Sequence, residues 1–395
     1  MKILIATNKS LVGIVGGTER VLSNFANEMH KRGHNVYLAY CTKNDGAFCY
    51  PVDADVKVIN LLDYFPKRRF ETPKFKIRRE ILRLFDKTKM QEFRVIWQAK
   101  AFYPVLQKLL QQVHPDVVVS AWWDTSVIFF EACKEQKIPL ITMSHLNAEN
   151  LLHEMTDSGK RILNQCAAVQ VLMPHDKVVF LKAFPDTHLV WIPNVVPQYP
   201  FSVHKEKLLI NVSQLAKKPK RQHLLIEAFS RLAGQFPDWT VEFWGDENGK
   251  CKYTNELKEL ICKYHLEDRV KLYGRTDDVL SVYRRASIFA FPSAYEGFGL
   301  AMTEAMSAGL PVVAYHSCPA VNELVRDGET GLLVDDGVDA LAEGLKKLME
   351  NQELRERMGR VAHESMKEFA PEKIWDQWEA LMQDVIAKHK AKREH

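Results

Sequence analysis

The chain has 395 residues, of which 46% are hydrophobic and 26% charged, and its formal net charge at pH 7 is only +4. This length suits two domains better than one core, and this composition excludes a disordered or fibrous protein. No apolar run approaches the roughly 20 residues that a membrane-spanning helix needs. Nucleic-acid binding has little support, because the basic residues concentrate in one stretch and no recognition motif accompanies them.

The cysteines indicate a reducing compartment. The chain has seven of them, scattered along its length without a Cys-x-x-Cys pair. We interpret them as reduced thiols, neither a disulfide framework nor a zinc site. The apolar run in the opening sequence MKILIATNKS is too short for the core of a signal peptide and suits a buried strand. We therefore expect a cytoplasmic protein.

The first half of the chain alternates short β-branched runs with helical patterns, which predicts a parallel sheet covered by helices. A helix is expected from Thr18 to about Lys31, because apolar residues recur there with a period near 3.6 and Gly33 supplies a C-cap. The predicted strands are Lys2–Ala6, Asn35–Ala39, Val56–Ile59, Asp116–Ser120, Pro139–Met143 and Ala168–Leu172.

A proline-rich stretch without periodicity, residues 191–205, is interpreted as the linker between two domains. We place the first domain at residues 1–195 and the second at 205–370, with a final amphipathic helix at 371–388 that could pack back on the first. The expected fold is two doubly wound, Rossmann-like domains whose strand ends face a central cleft. The predicted strands of the second domain are Lys207–Val212, Thr240–Trp244, Val270–Tyr273, Ile288–Phe291 and Val312–Ala314.

The most informative segment follows the strand that ends near Pro292. A turn with Gly297 and Gly299 leads into a helix that begins near Leu300, and such a turn lets the backbone approach an anion such as a diphosphate. Two carboxylates, Glu296 and Glu304, flank this turn. Ionised carboxylates only accept hydrogen bonds, which suits the hydroxyl pairs of ribose and hexose.

These residues resemble the retaining glycosyltransferases of family 4, which have the glycosyltransferase-B fold and carry a Glu-x7-Glu element. Glu296 and Glu304 match that element, and Gly297, Phe298 and Gly299 match its surroundings. The resemblance implies that Glu304 binds the donor ribose and that Glu296 holds a hydroxyl of the transferred sugar. It also implies donor contacts from Gly245, Arg275 and Leu300, with Glu323 near the last donor-domain turn.

A basic loop after the strand Lys207–Val212 suits a leaving diphosphate. The family carries an arginine and a lysine here. Lys220 matches the lysine, whereas Gln214 stands at the position of the arginine. Either Arg221, Lys217 or Lys218 compensates, or donor binding is weaker than in the family.

In the first domain, a glycine-rich loop resembles the family loop that faces the acceptor and the donor phosphates. It contains Gly13, Gly16 and Gly17, followed by Thr18 and Glu19. It is not Gly-x-Gly-x-x-Gly, which weakens a dehydrogenase interpretation.

Two further polar residues follow predicted strands of the first domain. His145 matches a family histidine that contacts the sugar and the reacting centre, although a lone histidine is more often structural. Asp124 is a weaker candidate on the acceptor side.

The resemblance implies a hexosyltransferase that retains the donor's anomeric configuration, with His145, Glu296 and Lys220 at the reacting centre. Same-face attack is expected, with the departing phosphate oxygen taking the acceptor proton. No cofactor and no metal are expected, because Lys220 and its neighbours supply the positive charge. The expected substrates are a nucleotide-sugar, UDP-sugar favoured over GDP-sugar, and a glycan or lipid-linked glycan of polysaccharide or lipopolysaccharide type.

Residues 65–100 hold many basic side chains interleaved with apolar ones. Three interpretations stay open: a basic amphipathic helix on an anionic membrane, a surface helix whose apolar stripe packs on the domain, or a site for an anionic acceptor. The first would make the protein peripheral on the cytoplasmic membrane face.

Two alternatives to a transferase also stay open. One is a nucleotide-sugar epimerase of the same fold, and the other is a catalytically silent sugar-nucleotide-binding or scaffold protein, which Gln214 would favour.

Overall fold

The computed structural model describes residues 1–64, 72–202, 205–249 and 251–394, with residues 393 and 394 as backbone. The chain forms two compact units. The N-terminal unit comprises Met1–Ile192 and the segment from Trp375 onward, and the C-terminal unit comprises Pro193–Ile374.

The described part of the N-terminal unit contains a seven-stranded sheet in the order β3-β2-β1-β4-β5-β6-β7, with every neighbouring pair parallel. The order reverses between β1 and β4, which makes this pair the switch point of a doubly wound sheet. The strands are β1 Lys2–Ala6, β2 Asn35–Tyr40, β3 Lys57–Asn60, β4 Val117–Ser120, β5 Leu140–Met143, β6 Ala168–Val171 and β7 Leu189–Trp191.

Helices cover both faces of this sheet, as parallel strands buried on both sides require. The central strands β4, β5 and β6 are buried along their whole length. The helices are α1 Gly17–Lys31, α2 Pro73–Phe85, α3 Lys87–Val113, α4 Trp123–Glu135, α5 Ala148–Glu154, α6 Asp157–Leu163 and α7 Pro174–Ala183.

The chain returns to the N-terminal unit through its last helix, α15 Pro371–Glu394. Trp375 and Trp378 pack against Phe25 of α1, with ring centroids 5.6 and 5.0 Å from the phenyl ring. Arg32, after the end of α1, binds Glu379 at 3.1 Å. The aromatic contacts bury the apolar side of α15 against α1, and the ion pair sets its register.

The described part of the C-terminal unit contains a six-stranded sheet in the order β10-β9-β8-β11-β12-β13, again parallel throughout. Its switch point lies between β8 and β11. The strands are β8 Leu208–Val212, β9 Thr240–Trp244, β10 Val270–Gly274, β11 Ile288–Phe291, β12 Val312–Tyr315 and β13 Gly331–Val334. The helices are α8 Gln222–Leu232, α9 Lys252–Lys263, α10 Val279–Arg285, α11 Leu300–Ser307, α12 Val321–Leu324, α13 Val338–Glu350 and α14 Gln352–Ser365.

The prediction of two Rossmann-like parallel sheets is confirmed, and each strand predicted from a β-branched run is present within one or two residues. Two strands were missed. Leu189–Trp191 has three residues, of which only Trp191 fell in the predicted linker, and Gly331–Val334 was not predicted as a strand. Both are edge strands, so they are too short or too close to turns to show a pattern of their own.

Within the residues described, no helix is both long enough and apolar enough to cross a lipid bilayer. Part of the basic segment at 65–100 lies outside those residues, namely residues 65–71 with Lys67, Arg68 and Arg69. The rest forms α2 and the first half of α3.

Candidate active site

Two loops meet at the switch point of the C-terminal unit, where ligands of doubly wound sheets bind. Residues 213–221 follow β8 and residues 292–299 follow β11, and these two strands are neighbours. The backbone N–H of Ala294 donates to the carbonyl of Pro219 at 2.8 Å, which joins the loops directly. The basic loop and the glycine turn of the sequence motif therefore form one site.

Lys220 and Glu296 form an ion pair at the centre of this site. The Nζ of Lys220 lies 2.6 Å from Oε1 of Glu296, and both side chains are largely shielded from water. The same ammonium faces the ring of Phe291, with its nitrogen 5.7 Å from the centroid. An ammonium has three donors, so Lys220 can hold this carboxylate and a phosphate oxygen at the same time.

The second carboxylate of the motif lies in the first turns of α11, which begins at Leu300. Gly299 caps this helix with φ of +80°, a conformation that glycine adopts without strain. Glu304 is buried at 2% exposure and accepts a hydrogen bond from the hydroxyl of Tyr283 at 3.3 Å. The first amides of α11 have no acceptor within the helix, so its start can receive an anion.

The Arg221 side chain is held by three hydrogen bonds within the C-terminal unit. Its guanidinium donates to the carbonyls of Pro292 and Ser293 at 2.9 and 3.0 Å, and to Asp336 at 3.0 Å. It also stacks on Tyr315 at 4.7 Å. The side chain therefore acts as a clamp that holds the loop after β11 against the loop after β8.

The structure places Gln214 and the cations that were expected to compensate for the missing arginine. Gln214 is exposed at the start of the loop. Of the three cations expected to replace the missing arginine, Arg221 is engaged by the clamp, Lys217 binds Glu256 at 2.6 Å and Lys218 is exposed. Lys220 thus stands as the cation that faces the motif carboxylate.

The loops after β9 and β10 close the neighbouring side of the site. Gly245 has φ of +131°, and a Cβ at this position would lie 2.0 Å from the carbonyl oxygen of Ser213, so only glycine fits. Its N–H donates to Gly274 at 2.6 Å. Arg275 follows and binds Asp246 at 2.7 Å, and its side chain stays partly exposed.

The structure adds to the sequence analysis at two residues near the motif: Phe298, which was predicted to contact the donor, and Cys318, which was not predicted. Phe298 is buried and packs edge-on against Phe369 at 5.6 Å, so its side chain is a core element and only its backbone belongs to the turn. Gly297 precedes it in the same turn. Cys318 is also buried here, and burial together with the Glu296 carboxylate raises the pKa of its thiol. No local pattern around Cys318 indicates this neighbourhood.

The N-terminal unit carries a second polar cluster at its own switch point, after β1 and β4. Asp124 is buried, with Oδ2 accepting from the side-chain amide of Asn8 at 3.2 Å and Oδ1 from the N–H of Thr125 at 2.9 Å. Thr125 in turn donates to Asn8 at 3.0 Å. Asp124 therefore positions the loop after β1, and sequence reasoning missed Asn8 because a single asparagine after a strand carries no signal.

His145 follows β5 and lies beside Trp122, with ring centroids 5.1 Å apart. The ammonium of Lys9 sits 3.5 Å from the centre of the Trp122 ring. Burial, with a smaller effect of Lys9, lowers the pKa of His145 to about 3, so the imidazole is neutral at physiological pH. Its Nε2 is buried without a hydrogen-bond partner among the described residues, which leaves that nitrogen able to bind a ligand group.

The glycine-rich loop leads into α1 beside this cluster. Gly13 has φ of +67°, whereas Gly16 is extended and caps the helix, which begins at Gly17 and continues with Thr18. A Cβ on Gly16 would lie 2.3 Å from the carboxylate of Glu19. Burial raises the pKa of Glu19, and the Lys9 ammonium opposes that shift.

Both halves of the chain match glycosyltransferase families. The model described as "Glycosyl transferases group 1" matches residues 197–365, and the model described as "Glycosyltransferase Family 4" matches residues 15–197. With two Rossmann-like units and two carboxylates about a glycine turn, the fold and site define a glycosyltransferase of the B fold. The chain belongs to the group 1 and family 4 glycosyltransferases that these two models describe.

Relatives of similar length are also named as glycosyltransferases. The chain is 25% identical over 387 residues to an uncharacterized glycosyltransferase of Haemophilus influenzae, covering 94% of this chain and 97% of the relative. It is 25% identical over 377 residues to a Campylobacter jejuni α-1,4-N-acetyl-D-galactosaminyltransferase named for a glycan on diphospho-undecaprenol, covering 94% and 96%.

A solved structure supports the fold. HepE of Anabaena, in complex with UDP and glucose, matches with a TM-score of 0.71 and 22% identity over 97% of this chain and 99% of that one.

Proposed function

We propose that this glycosyltransferase is a retaining, metal-independent hexosyltransferase. Its donor is a nucleotide-sugar, UDP-sugar favoured over GDP-sugar. Its acceptor is a glycan or lipid-linked glycan in cell-surface polysaccharide or lipopolysaccharide-type synthesis. The observation that carries the proposal is the 2.6 Å pair of Lys220 and Glu296 at the switch point, where the loop of Glu296 leads into α11 with its buried Glu304.

The donor would lie across the ends of β8 and β11. Its diphosphate would meet the Lys220 ammonium and the first amides of α11, which together replace the charge of a metal ion. Glu304 would accept hydrogen bonds from the ribose diol, because a carboxylate can receive two hydroxyl donors. Glu296, already held in place by Lys220, would orient a hydroxyl of the transferred sugar.

The reaction follows from these charges. The acceptor oxygen forms a bond to the anomeric carbon on the face from which the phosphate departs. As the carbon–oxygen bond to phosphate breaks, the departing phosphate oxygen takes the acceptor proton, and Lys220 stabilises the charge that develops there. His145, neutral at physiological pH, would contribute a hydrogen bond to the sugar rather than a proton transfer.

Two comparisons favour the choice of substrates. The HepE structure, which shares the fold, holds UDP and glucose. The Campylobacter jejuni relative, which aligns along nearly its whole length, is named for a lipid-linked glycan. We extend both properties to this chain as part of the proposal.

The test is release of UDP from a panel of UDP-sugars, with and without a lipid-linked oligosaccharide fraction, in the presence of EDTA. We expect release that needs acceptor and survives chelation, with the donor's anomeric configuration retained in the product by NMR. Glu296→Gln should lower kcat/KM at least about 100-fold, because it removes a charged contact to the sugar. Lys217→Gln, in the same loop but paired with Glu256, is the matched control.

Conversion of a UDP-sugar without any acceptor would instead identify an epimerase. A product of inverted configuration, or activity lost with EDTA, would contradict the mechanism.

A further inference from the structure

Among the described residues, helix α2 packs on the N-terminal unit through one of its faces. Phe75 is its buried residue and stacks on Phe93 of α3 at 5.4 Å and on Trp97 at 5.1 Å. The Arg78 guanidinium lies over the Phe93 ring, 4.9 Å from its centroid. Leu82, two turns after Phe75, is half-buried on the same face. These contacts account for the packing of α2 on α3.

A second apolar face of α2 points away from this contact. Ile77, Ile81, Leu84 and Phe85 are exposed by 63%, 50%, 84% and 84%. Their spacing of four, three and one residues places them in one stripe along the helix. An apolar stripe of this kind is costly in water, so a helix that keeps one is expected to bury it against something else.

The flanks of this stripe are strongly basic. Between Pro73 and Phe85 the helix carries five basic side chains and one acidic residue, Glu80, for a net charge of +4. Lys87 and Lys89 continue the basic surface at the start of α3. The basic residues of α2 are Lys74, Lys76, Arg78, Arg79 and Arg83.

The corner between α2 and α3 fixes the most exposed part of the stripe. Asp86 adopts an extended conformation and its carboxylate caps α3, accepting from the N–H groups of Thr88 and Lys89 at 2.9 and 3.0 Å. Because the cap stops α2 at Phe85, Leu84 and Phe85 are presented outward at a defined corner.

This corner lies on the side of the sheet where the strands have their carboxyl ends, which is the candidate acceptor side. The end of α3 lies at the amino ends of the strands, where the carbonyl of Val113 accepts a hydrogen bond from the side chain of Lys2, the first residue of β1, at 2.7 Å. A helix of 27 residues is about 40 Å long, against about 17 Å for a five-residue strand, so the start of α3 projects past the strand ends. Burial lowers the pKa of Lys9 beside His145, and the charge of Arg94, near the start of α3, adds to this effect.

We propose that α2 is the membrane-docking element of this protein and binds the surface of an anionic bilayer. Ile77, Ile81, Leu84 and Phe85 insert at the boundary between headgroups and acyl chains, and the basic side chains bind the anionic headgroups. A second copy of the chain is a poorer partner for this face, because two helices that each carry a charge of +4 would repel each other. A soluble anionic glycan would bind the basic side chains but leave the apolar stripe in water. An anionic lipid surface satisfies both the charge and the apolar stripe.

This inference deepens the proposed function, because docking through α2 brings the acceptor side of the N-terminal unit to a lipid-linked substrate. Its test uses vesicles without donor or acceptor, so it can fail while the transfer reaction stands. The reverse also holds, since a chain without transferase activity can still bind vesicles.

The experiment is cosedimentation of the full chain with vesicles of phosphatidylcholine containing 30% phosphatidylglycerol, compared with phosphatidylcholine alone. We expect binding to the anionic vesicles that falls when salt is raised from 0.1 to 0.5 M. Leu84→Ser with Phe85→Ser should reduce the partition coefficient at least about tenfold. Lys74→Gln with Lys76→Gln should reduce it about 25-fold, at about fivefold for each cation near the surface.

Matched controls carry the same changes on other exposed helices. Val178→Ser with Leu181→Ser on α7 removes two exposed apolar residues, and Lys252→Gln with Lys258→Gln on α9 removes two exposed lysines. Both control pairs should bind vesicles as the unchanged chain does. All variants should keep the melting temperature and the calorimetric affinity for UDP of the unchanged chain.

Two results would overturn the proposal. One is absence of binding to anionic vesicles by the unchanged chain. The other is binding that the α2 pairs and the control pairs alter equally. A dimer by sedimentation velocity that Leu84→Ser with Phe85→Ser dissociates, without vesicle binding, would assign the stripe to a second copy instead.

Discussion

Substitution of Arg221 distinguishes two roles for this side chain, a contact to the donor and a clamp between the loops after β8 and β11. Replacing it by lysine keeps the positive charge but removes the planar fork that reaches Pro292, Ser293 and Asp336. A lysine can keep one of these three hydrogen bonds, so two bonds to a charged group are lost. At roughly 1.5 kcal/mol each, the C-terminal unit should lose about 3 kcal/mol of unfolding free energy.

This loss can be measured as the melting temperature of the C-terminal unit by differential scanning calorimetry. For a unit of this size, 1 kcal/mol corresponds to roughly 2–4 °C, so Arg221→Lys should melt about 6–12 °C lower. Donor affinity should fall as well, because the loop after β11 is no longer held. Lys217→Gln is the control, since its ion pair with Glu256 lies at the surface and such pairs contribute little to stability. A shift below about 2 °C for Arg221→Lys, with reduced donor affinity, would refute the clamp and restore the donor contact.

Three further predictions concern the same sites. Lys220→Met should lower kcat about 100- to 1,000-fold in the UDP-release assay, and a smaller loss than tenfold would remove Lys220 from the leaving-group role. Gln214→Arg should tighten UDP binding up to about tenfold by calorimetry, and an unchanged Kd would show that this side chain does not reach the diphosphate. His145 has a folded pKa of about 3 against about 6.5 unfolded, so the unfolded chain binds more protons and stability falls as pH drops below about 6.5. Between pH 6.5 and 5, the free energy of unfolding of His145→Asn should fall by about 1 kcal/mol less than that of the unchanged chain, after allowance for partial exposure of the side chain. Urea denaturation at the two pH values measures both losses, and equal losses would contradict this prediction.

The fold was predictable because its determinants are local. β-Branched runs bounded by turn residues marked all the central strands, since strands buried on both faces must be apolar throughout. Two edge strands were not predicted, because a strand of three or four residues is defined by the neighbour it pairs with and not by its own sequence. They are Leu189–Trp191 and Gly331–Val334.

The site was predictable where the chemistry sits in one short motif. Glu296 precedes the glycine turn and Lys220 lies on the loop of the adjacent strand, so strand order alone brings these two side chains together. The role of Arg221 was not predictable, because its carbonyl partners are more than 70 residues away and any residue type supplies a carbonyl. Asp124 likewise contacts Asn8 across 116 residues, so its positioning role appears only in the folded unit.

The donor site is tested by calorimetric titration of the chain and of Glu304→Ala with UDP, GDP and ADP. We expect saturable binding of UDP in preference to the other two nucleotides, weakened about 10- to 100-fold by the substitution, because Glu304 loses charged hydrogen bonds to the ribose. The melting temperature of the variant serves to show that it is folded. Absence of binding to all three nucleotides, or equal binding by a folded Glu304→Ala variant, would contradict the assignment of the donor site.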